Sequence, residues 1–185
     1  MVEAILALGS NVGDRARNLR SAVREIGREV RILEASSVYE TEPMYLEKQR
    51  PFLNCVLAIE TDLAPSELLS RMLAVEKKLG RKRGGPRYGP RRIDIDIAFY
   101  GDQTLSTTSL RIPHPKVRER AFVLVPLSEI RPRLVHPKSG ESVLEMLAPL
   151  EKKGVVRSGE VSAGSGPSEP RRLRRPGRSR PRRVP

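Results

Sequence analysis

Apolar positions up to Tyr100 fall into six stretches of two kinds. Val2–Leu8 is almost continuously apolar, which predicts a strand covered on both faces. Gly9-Ser10-Asn11 then makes a turn, and Asp14 stands where a helix N-cap is needed. Behind it Leu19, Ala22, Val23 and Ile26 recur at helical spacing, with Gly27 weakening the helix near its end. Val30–Tyr39 returns to strand character. Phe52–Thr61 alternates with period two: Phe52, Asn54, Val56 and Ala58 share one face, and Leu53, Cys55, Leu57 and Ile59 the other. Pro65 suits the first turn of a second helix, whose apolar stripe (Leu68, Leu69, Met72, Leu73, Val75, Leu79) runs up to Gly80. Ile93–Tyr100 alternates again. Ile93, Ile95, Ile97 and Phe99 face a core there, while Asp94 and Asp96 share the opposite face.

Strand, helix, strand, strand, helix, strand is the split βαβ order of ferredoxin-like folds. The expectation is therefore an α+β sandwich: a four-stranded antiparallel sheet with both helices on one face, and a site on the other, where Asp94 and Asp96 point. Between the second and third strands, 40–51 is a polar segment carrying Pro43 and Pro51, long for a connection within a compact domain, and such loops tend to be functional. After the last strand, Ala121–Ile130 and Val143–Leu150 are apolar enough to be short helices packed on the core. From Ser158 the chain turns to Gly, Ser, Pro and Arg, too poor in apolar residues to offset its ordering entropy. The expected organisation is one domain over 1–157 and a disordered basic tail over 158–185.

Charge changes the picture less than its size suggests. The formal net charge of the 185 residues is +13, which points at first to nucleic acid. Eight arginines and no acid lie in 171–185, which leaves +5 on the rest. Cys55 is the single cysteine, so no internal disulfide forms, and its apolar run predicts a buried thiol. Met1 leads straight into the first strand without the pattern of a signal peptide, and no apolar run nears the ~20 residues of a membrane helix. A soluble, cytoplasmic protein with no membrane partner is expected.

Candidate chemistry concentrates just before and within the last strand. Arg81, Lys82, Arg83, Arg87, Arg91 and Arg92 crowd a loop broken by Gly84, Gly85, Pro86, Gly89 and Pro90. Carboxylates two residues apart on one strand face sit roughly 6–7 Å apart at their Cα atoms. Two hard cations about 3.5–4 Å apart fit that spacing, and the guanidinium forks beside them suit a polyphosphate. On spacing alone, a basic surface loop leading into a strand with a solvated acidic face remains an equal reading. His114 and His136 are the two histidines. A lone His between prolines is commonly a turn residue, and no neighbouring His or Cys completes a zinc set. The first turn lacks the P-loop pattern and no dinucleotide glycine fingerprint follows a strand, so phosphate would be held by metal and arginine.

Four segments, LALGSNVGD near the start, FLNCV at 52–56, GPRRIDIDI at 89–97 and IPHPKVRERAFVLVPL at 112–127, resemble the 6-hydroxymethyl-7,8-dihydropterin pyrophosphokinase family of folate synthesis. The resemblance spans residues 2 to about 150 and leaves out the basic tail. It implies a ferredoxin-like αβ sandwich that transfers the pyrophosphoryl group of ATP to the pterin hydroxymethyl group and releases AMP. It also implies that Asp94 and Asp96 hold two Mg2+ ions on ATP and that Arg81 and Arg91 act on the triphosphate. Arg83, Tyr88, His114 and Arg120, with Glu76, Leu69 and Ile97, match nucleotide-contacting positions. Phe52 and Phe122 match the rings that sandwich the pterin, Asn54 the amide that reads its edge, and Thr41 and Pro43 the pterin-side loop. The chain departs from the family's habit at Tyr88 (Trp in some relatives), Phe52 (Tyr in some), Pro115 (often aromatic) and Glu42 (a proline). No side chain stands out as a general base.

Two other classes use similar ingredients. A ferredoxin-like nucleic-acid module would want aromatic and basic residues on its open face, where this chain puts two carboxylates. A two-metal nuclease could use the Asp-x-Asp pair but has no need of paired rings with an amide between them. The expected partners are ATP and the hydroxymethyldihydropterin, bound by a monomer, with the tail making at most weak, salt-sensitive contacts to RNA or acidic surfaces.

Overall fold

The computed structural model describes residues 1–44, 49–81, 89–152 and 154–161. Its first strand, β1 (Val2–Ser10), lies between two neighbours in a six-stranded antiparallel sheet, and the segment is apolar on both sides because each face of it packs into a core. β1 pairs along its whole length with β4 (Phe52–Thr61) and, on its other side, with β5 (Asp94–Tyr100). β2 (Arg31–Ala35) and β3 (Ser37–Thr41) share the far edge of β4 end to end. The strand predicted over Val30–Tyr39 is thus two strands, and Ser36 is the reason. Its N–H donates to the Val56 carbonyl (2.9 Å) and its hydroxyl accepts from the Val56 N–H (2.9 Å), so one side chain stands in for a ladder partner.

Two helices cover one face of the sheet. α1 (Arg15–Glu29) starts where Asp14 accepts from the Arg17 N–H (2.9 Å), and α2 (Pro65–Lys78) starts at its proline. Leu19, Ala22, Val23 and Ile26 from α1 and Leu68, Met72 and Val75 from α2 bury against Leu6, Leu8, Leu57, Ile59, Ile95 and Ile97. Lys78 of α2 reaches Glu25 of α1 (2.5 Å) and clasps the two helices together, while Arg28 of α1 holds the same carboxylate (2.5 Å).

The opposite face is only half open. α3 (Ala121–Ile130) and α4 (Val143–Leu147, shorter than the predicted Val143–Leu150) lie across it, burying Val123, Leu124, Leu127 and Met146 against Ile5, Val56, Ala58 and Phe99. Phe99 was expected to face the same way as Ile93, Ile95 and Ile97, and it does not. The β1–β5 register slips between Ile5 and Leu6, so Ile97 pairs with Leu6, Phe99 with Ile5, and Ala98 is the extra residue. Such a bulge reverses the facing of everything beyond it. Phe99 therefore fills the core under α3, and Tyr100 turns back toward α1 and α2.

Two short strands, β6 (Leu105–Ser106) and β7 (Arg111–Ile112), form a ribbon leading to His114. The predicted boundary at 158 also moves. β8 (Val155–Glu160) runs through it and pairs antiparallel with β3, giving a strand order β5-β1-β4-β3-β8. β3 offers a row of backbone donors and acceptors there, and pairing satisfies them even though β8 itself is mostly exposed and polar. The residues of the tail from 162 onward lie outside the described residues. Among the described residues no helix is long and apolar enough to cross a membrane.

Candidate active site

Alternation along β5, β1 and β4 builds the floor of a cleft at the end of the sheet that α3 and α4 leave open. Register aligns Asp96, Ala7 and Val56 in one row, and Asp94, Gly9 and Asn54 in the next. Gly9 is required there for space: a Cβ would lie 2.8 Å from Asn54 Oδ1. Asn54 is buried and donates to Thr41 Oγ1 (2.7 Å), which fixes its amide at the β3 side. Phe52 rises from the start of β4, and Phe122 from the first turn of α3 with the Arg120 guanidinium 5.4 Å from its ring centre. Together they line a cleft of about 210 Å³, apolar and amide-bearing at one end and charged at the other.

At the charged end both Asp94 oxygens are engaged. Oδ1 meets Arg81 at 2.7 Å and Oδ2 meets Arg91 at 2.5 Å. Asp96 Oδ2 accepts from Arg120 (3.2 Å) and stands 4.0 Å from His114 Nε2. The bulge in β5 helps to place that histidine, since Ala98 gives its carbonyl to the His114 N–H (2.9 Å). Arg81 also pairs closely with Glu76, whose Oε1 accepts from the Ile95 N–H (2.8 Å) between the two aspartates.

Burial sets the protonation of these groups. Desolvation and the adjacent Arg120 charge lower the His114 pKa to about 4, so its imidazole is neutral near pH 7. Desolvation raises the buried Glu76 to about 7, against the pull of Arg81. The Asp96 carboxyl sits above its ordinary value, first by desolvation and next by the Asp94 charge. That repulsion is the kind a cation between the two would relieve. Among the described residues no cluster of three or more His, Cys, Asp or Glu forms a protein-only metal cage. Two oxygen donors and open space fit a hard cation such as Mg2+, which keeps waters and takes its other ligands from substrate phosphates. Cys55, whose thiol burial pushes up to about 12, is unsuited to nucleophilic work.

The structure brings Thr41, Phe52, Asn54, Arg91, Asp94, Asp96, His114, Arg120 and Phe122 to this one cleft, with Arg81 beside it. Pro43 is half-buried between Glu42 and Met44, which do line it. Glu76 is buried in α2, and Ile97 and Leu69 belong to the core on the α1–α2 face, across the sheet from the cleft. Arg83 and Tyr88 lie outside the described residues.

The sequence reading missed Asn11, which it took for a turn residue. The Asn11 N–H donates to the Arg91 carbonyl (3.0 Å) and its Oδ1 accepts from the Arg91 N–H (2.7 Å). Its Nδ2 donates to Gln49 Oε1 (3.0 Å) and the Arg50 carbonyl (3.3 Å), so one amide fastens both loops that flank the cleft. An amide side chain directly after Gly-Ser in a turn, between two polar loops, was the available signal.

The sequence matches the family described as 7,8-dihydro-6-hydroxymethylpterin-pyrophosphokinase over residues 5–132. The chain belongs to this family. A 2-amino-4-hydroxy-6-hydroxymethyldihydropteridine pyrophosphokinase of Methylorubrum extorquens is 46% identical over 159 residues, 85% of this chain and 99% of that one. The Aquifex aeolicus protein of the same name is 43% identical over 137 residues, 74% of this chain and 85% of that one. A folic acid synthesis protein of Pneumocystis carinii is 42% identical over 139 residues, 75% of this chain but only 19% of that longer one. Among solved structures, a Plasmodium falciparum HPPK-DHPS superimposes with a TM-score of 0.66 at 15% identity, over 80% of this chain and 45% of that chain. At that identity the likeness speaks for the fold, a mixed α+β architecture on an antiparallel sheet. Membership makes this chain one of the pyrophosphokinases of folate synthesis. The four segments quoted above all contribute residues to the cleft, from Gly9 in the first to Phe122 in the last.

Proposed function

We propose that the cleft transfers the pyrophosphoryl group of ATP to the hydroxymethyl group of 6-hydroxymethyl-7,8-dihydropterin, releasing AMP. The observation that carries this reading is the two-ended cleft. Two rings and a fixed amide lie at one end, two carboxylates among three guanidiniums at the other, on one continuous sheet face. Phe52 and Phe122 hold the flat pterin by stacking, and Asn54 orients its polar edge. The hydroxymethyl oxygen then faces the acidic end, attacks the β-phosphorus and displaces AMP as the bond from the β-phosphorus to the bridging oxygen breaks. The hydroxyl proton passes to solvent or phosphate. Two Mg2+ ions on Asp94 and Asp96 would supply charge neutralisation for the triphosphate. Arg81 and Arg91 stabilise the charge that develops on the leaving AMP, and His114 and Arg120 fix the nucleotide. Rate enhancement on this reading is mostly positioning, since the reacting atoms need only be held in line.

The sheet is read as ferredoxin-like, with β1, the β2–β3 pair, β4 and β5 as its four strands and β8 as an added edge. The protein is proposed to act as a cytoplasmic monomer whose tail makes at most weak contacts with RNA or acidic surfaces. Incubation with MgATP and the hydroxymethyldihydropterin, followed by nucleotide chromatography, tests the reaction. Stoichiometric AMP and pterin diphosphate are expected; ADP, or no pterin-dependent turnover, refutes it.

A further inference from the structure

The aspartates of the acidic end have cationic partners within the protein itself. Arg81 and Arg91 take one oxygen each of Asp94, and Arg120 takes Asp96. All three guanidiniums are largely withdrawn from water, with side-chain exposures of 21%, 29% and 12%. With Asp94 itself 23% exposed, solvent screens its two pairs less than it would surface ones. They are also anchored from behind: Arg81 by Glu76, Arg91 through both its backbone groups by Asn11, and Arg120 over the Phe122 ring.

A bare divalent cation approaching Asp94 must displace two guanidiniums and would then sit beside them. A triphosphate removes that obstacle, because its oxygens accept the same forks that the carboxylates release. We propose that the three arginines act as a lock on the acidic pair, so that the site rejects free divalent cations and admits a cation only together with a polyphosphate. This rests on the proposed function for the identity of the polyphosphate. The exchange is concerted in charge: each carboxylate passes from guanidinium to cation as each guanidinium passes from carboxylate to phosphate. Arg81 keeps its hold on Glu76 throughout and so stays at the cleft when it lets go of Asp94.

Paramagnetic resonance of free Mn2+ titrated with the full-length protein reads this without turnover. Wild type should bind bare Mn2+ at least about tenfold more weakly than Arg81→Gln or Arg91→Gln, since each variant unlocks one Asp94 oxygen. Arg20→Ala, an exposed arginine on α1, removes the same charge elsewhere and should not change Mn2+ affinity. Wild type should also bind α,β-methylene-ATP, uncleavable at the bond in question, more tightly with Mn2+ than without. Bare Mn2+ bound by wild type as tightly as by the glutamine variants overturns the lock, as does an equal gain in Arg20→Ala. The wild-type titration with bare Mn2+ stands even if a variant fails to fold, and tight binding there overturns the lock alone. Failure of wild type to bind the Mn2+–analogue complex overturns the proposed function instead.

Discussion

β1, β4 and β5 carry one sheet face that is two different places. Under α3 and α4 it presents Ile5, Ala58 and Phe99, all nearly inaccessible. Two rows further along the same strands it presents Asp94, Gly9 and Asn54 to a cleft. The same backbone ladder supports both. A covering layer makes apolar side chains stabilising, whereas its absence allows carboxylates that would be prohibitive if buried without partners. The bulge at Ala98 sits between the halves, sending Phe99 under the cover while its carbonyl brings His114 to Asp96.

Substitutions in the two halves should separate activity from stability. The largest effect belongs to the open half. Asp94→Ala or Asp96→Ala should lower turnover by at least about 10²–10³-fold, with far-UV circular dichroism and Tm near wild type. Substantial activity in both variants would refute the metal assignment. In the covered half, Phe99→Ala should cost about 3–5 kcal/mol of stability, read by urea unfolding. The pterin-dependent rate of the protein that remains folded should be nearly unchanged. A rate loss as large as that of the aspartate variants would show that the two halves are not separable.

A smaller effect tests the boundary between them. The folded protein holds the His114 pKa near 4, below its ordinary value of 6.5, so the unfolded chain takes the proton at higher pH than the folded one. The contribution is fully present above pH 6.5 and is lost as pH falls toward 4, by at most about 3 kcal/mol. Glu76, raised to about 7, runs the other way: its contribution is present below pH 4.5 and lost as pH rises through 7. The difference between wild type and His114→Asn, measured in metal-free buffer, isolates the histidine. A flat difference between pH 4 and 6.5 would mean that His114 is not held neutral by its surroundings. The smallest effect is expected from deleting 162–185, which should leave turnover unchanged. Deleting from 154 removes β8 from the β3 edge, which carries Thr41, and should raise the pterin KM more than it lowers kcat. Equal behaviour of the two truncations would assign β8 no part in the cleft.

Most of the elements were legible because their signals are local. Period-two alternation put Asn54 and Phe52 on one face of β4, and Asp14 and Pro65 marked two helix starts before any contact was known. The Asp-x-Asp pair beside an arginine-rich loop pointed to the charged end of the cleft as one of two equal readings of spacing and charge. What could not be read were features set by a partner strand. The break at Ser36 depends on Val56, the reversed facing of Phe99 on a slip against β1, and β8 on an unfilled edge of β3. Asn11 joins residues 38 and 80 positions away, and only its partners there set it apart in function from other turn amides. Sequence determined the periodicity and the chemical inventory, because both follow from which neighbours along the chain are apolar or charged. Tertiary structure alone decided facing, edge and pairing, because a strand's hydrogen bonds are made to residues that its own sequence does not contain.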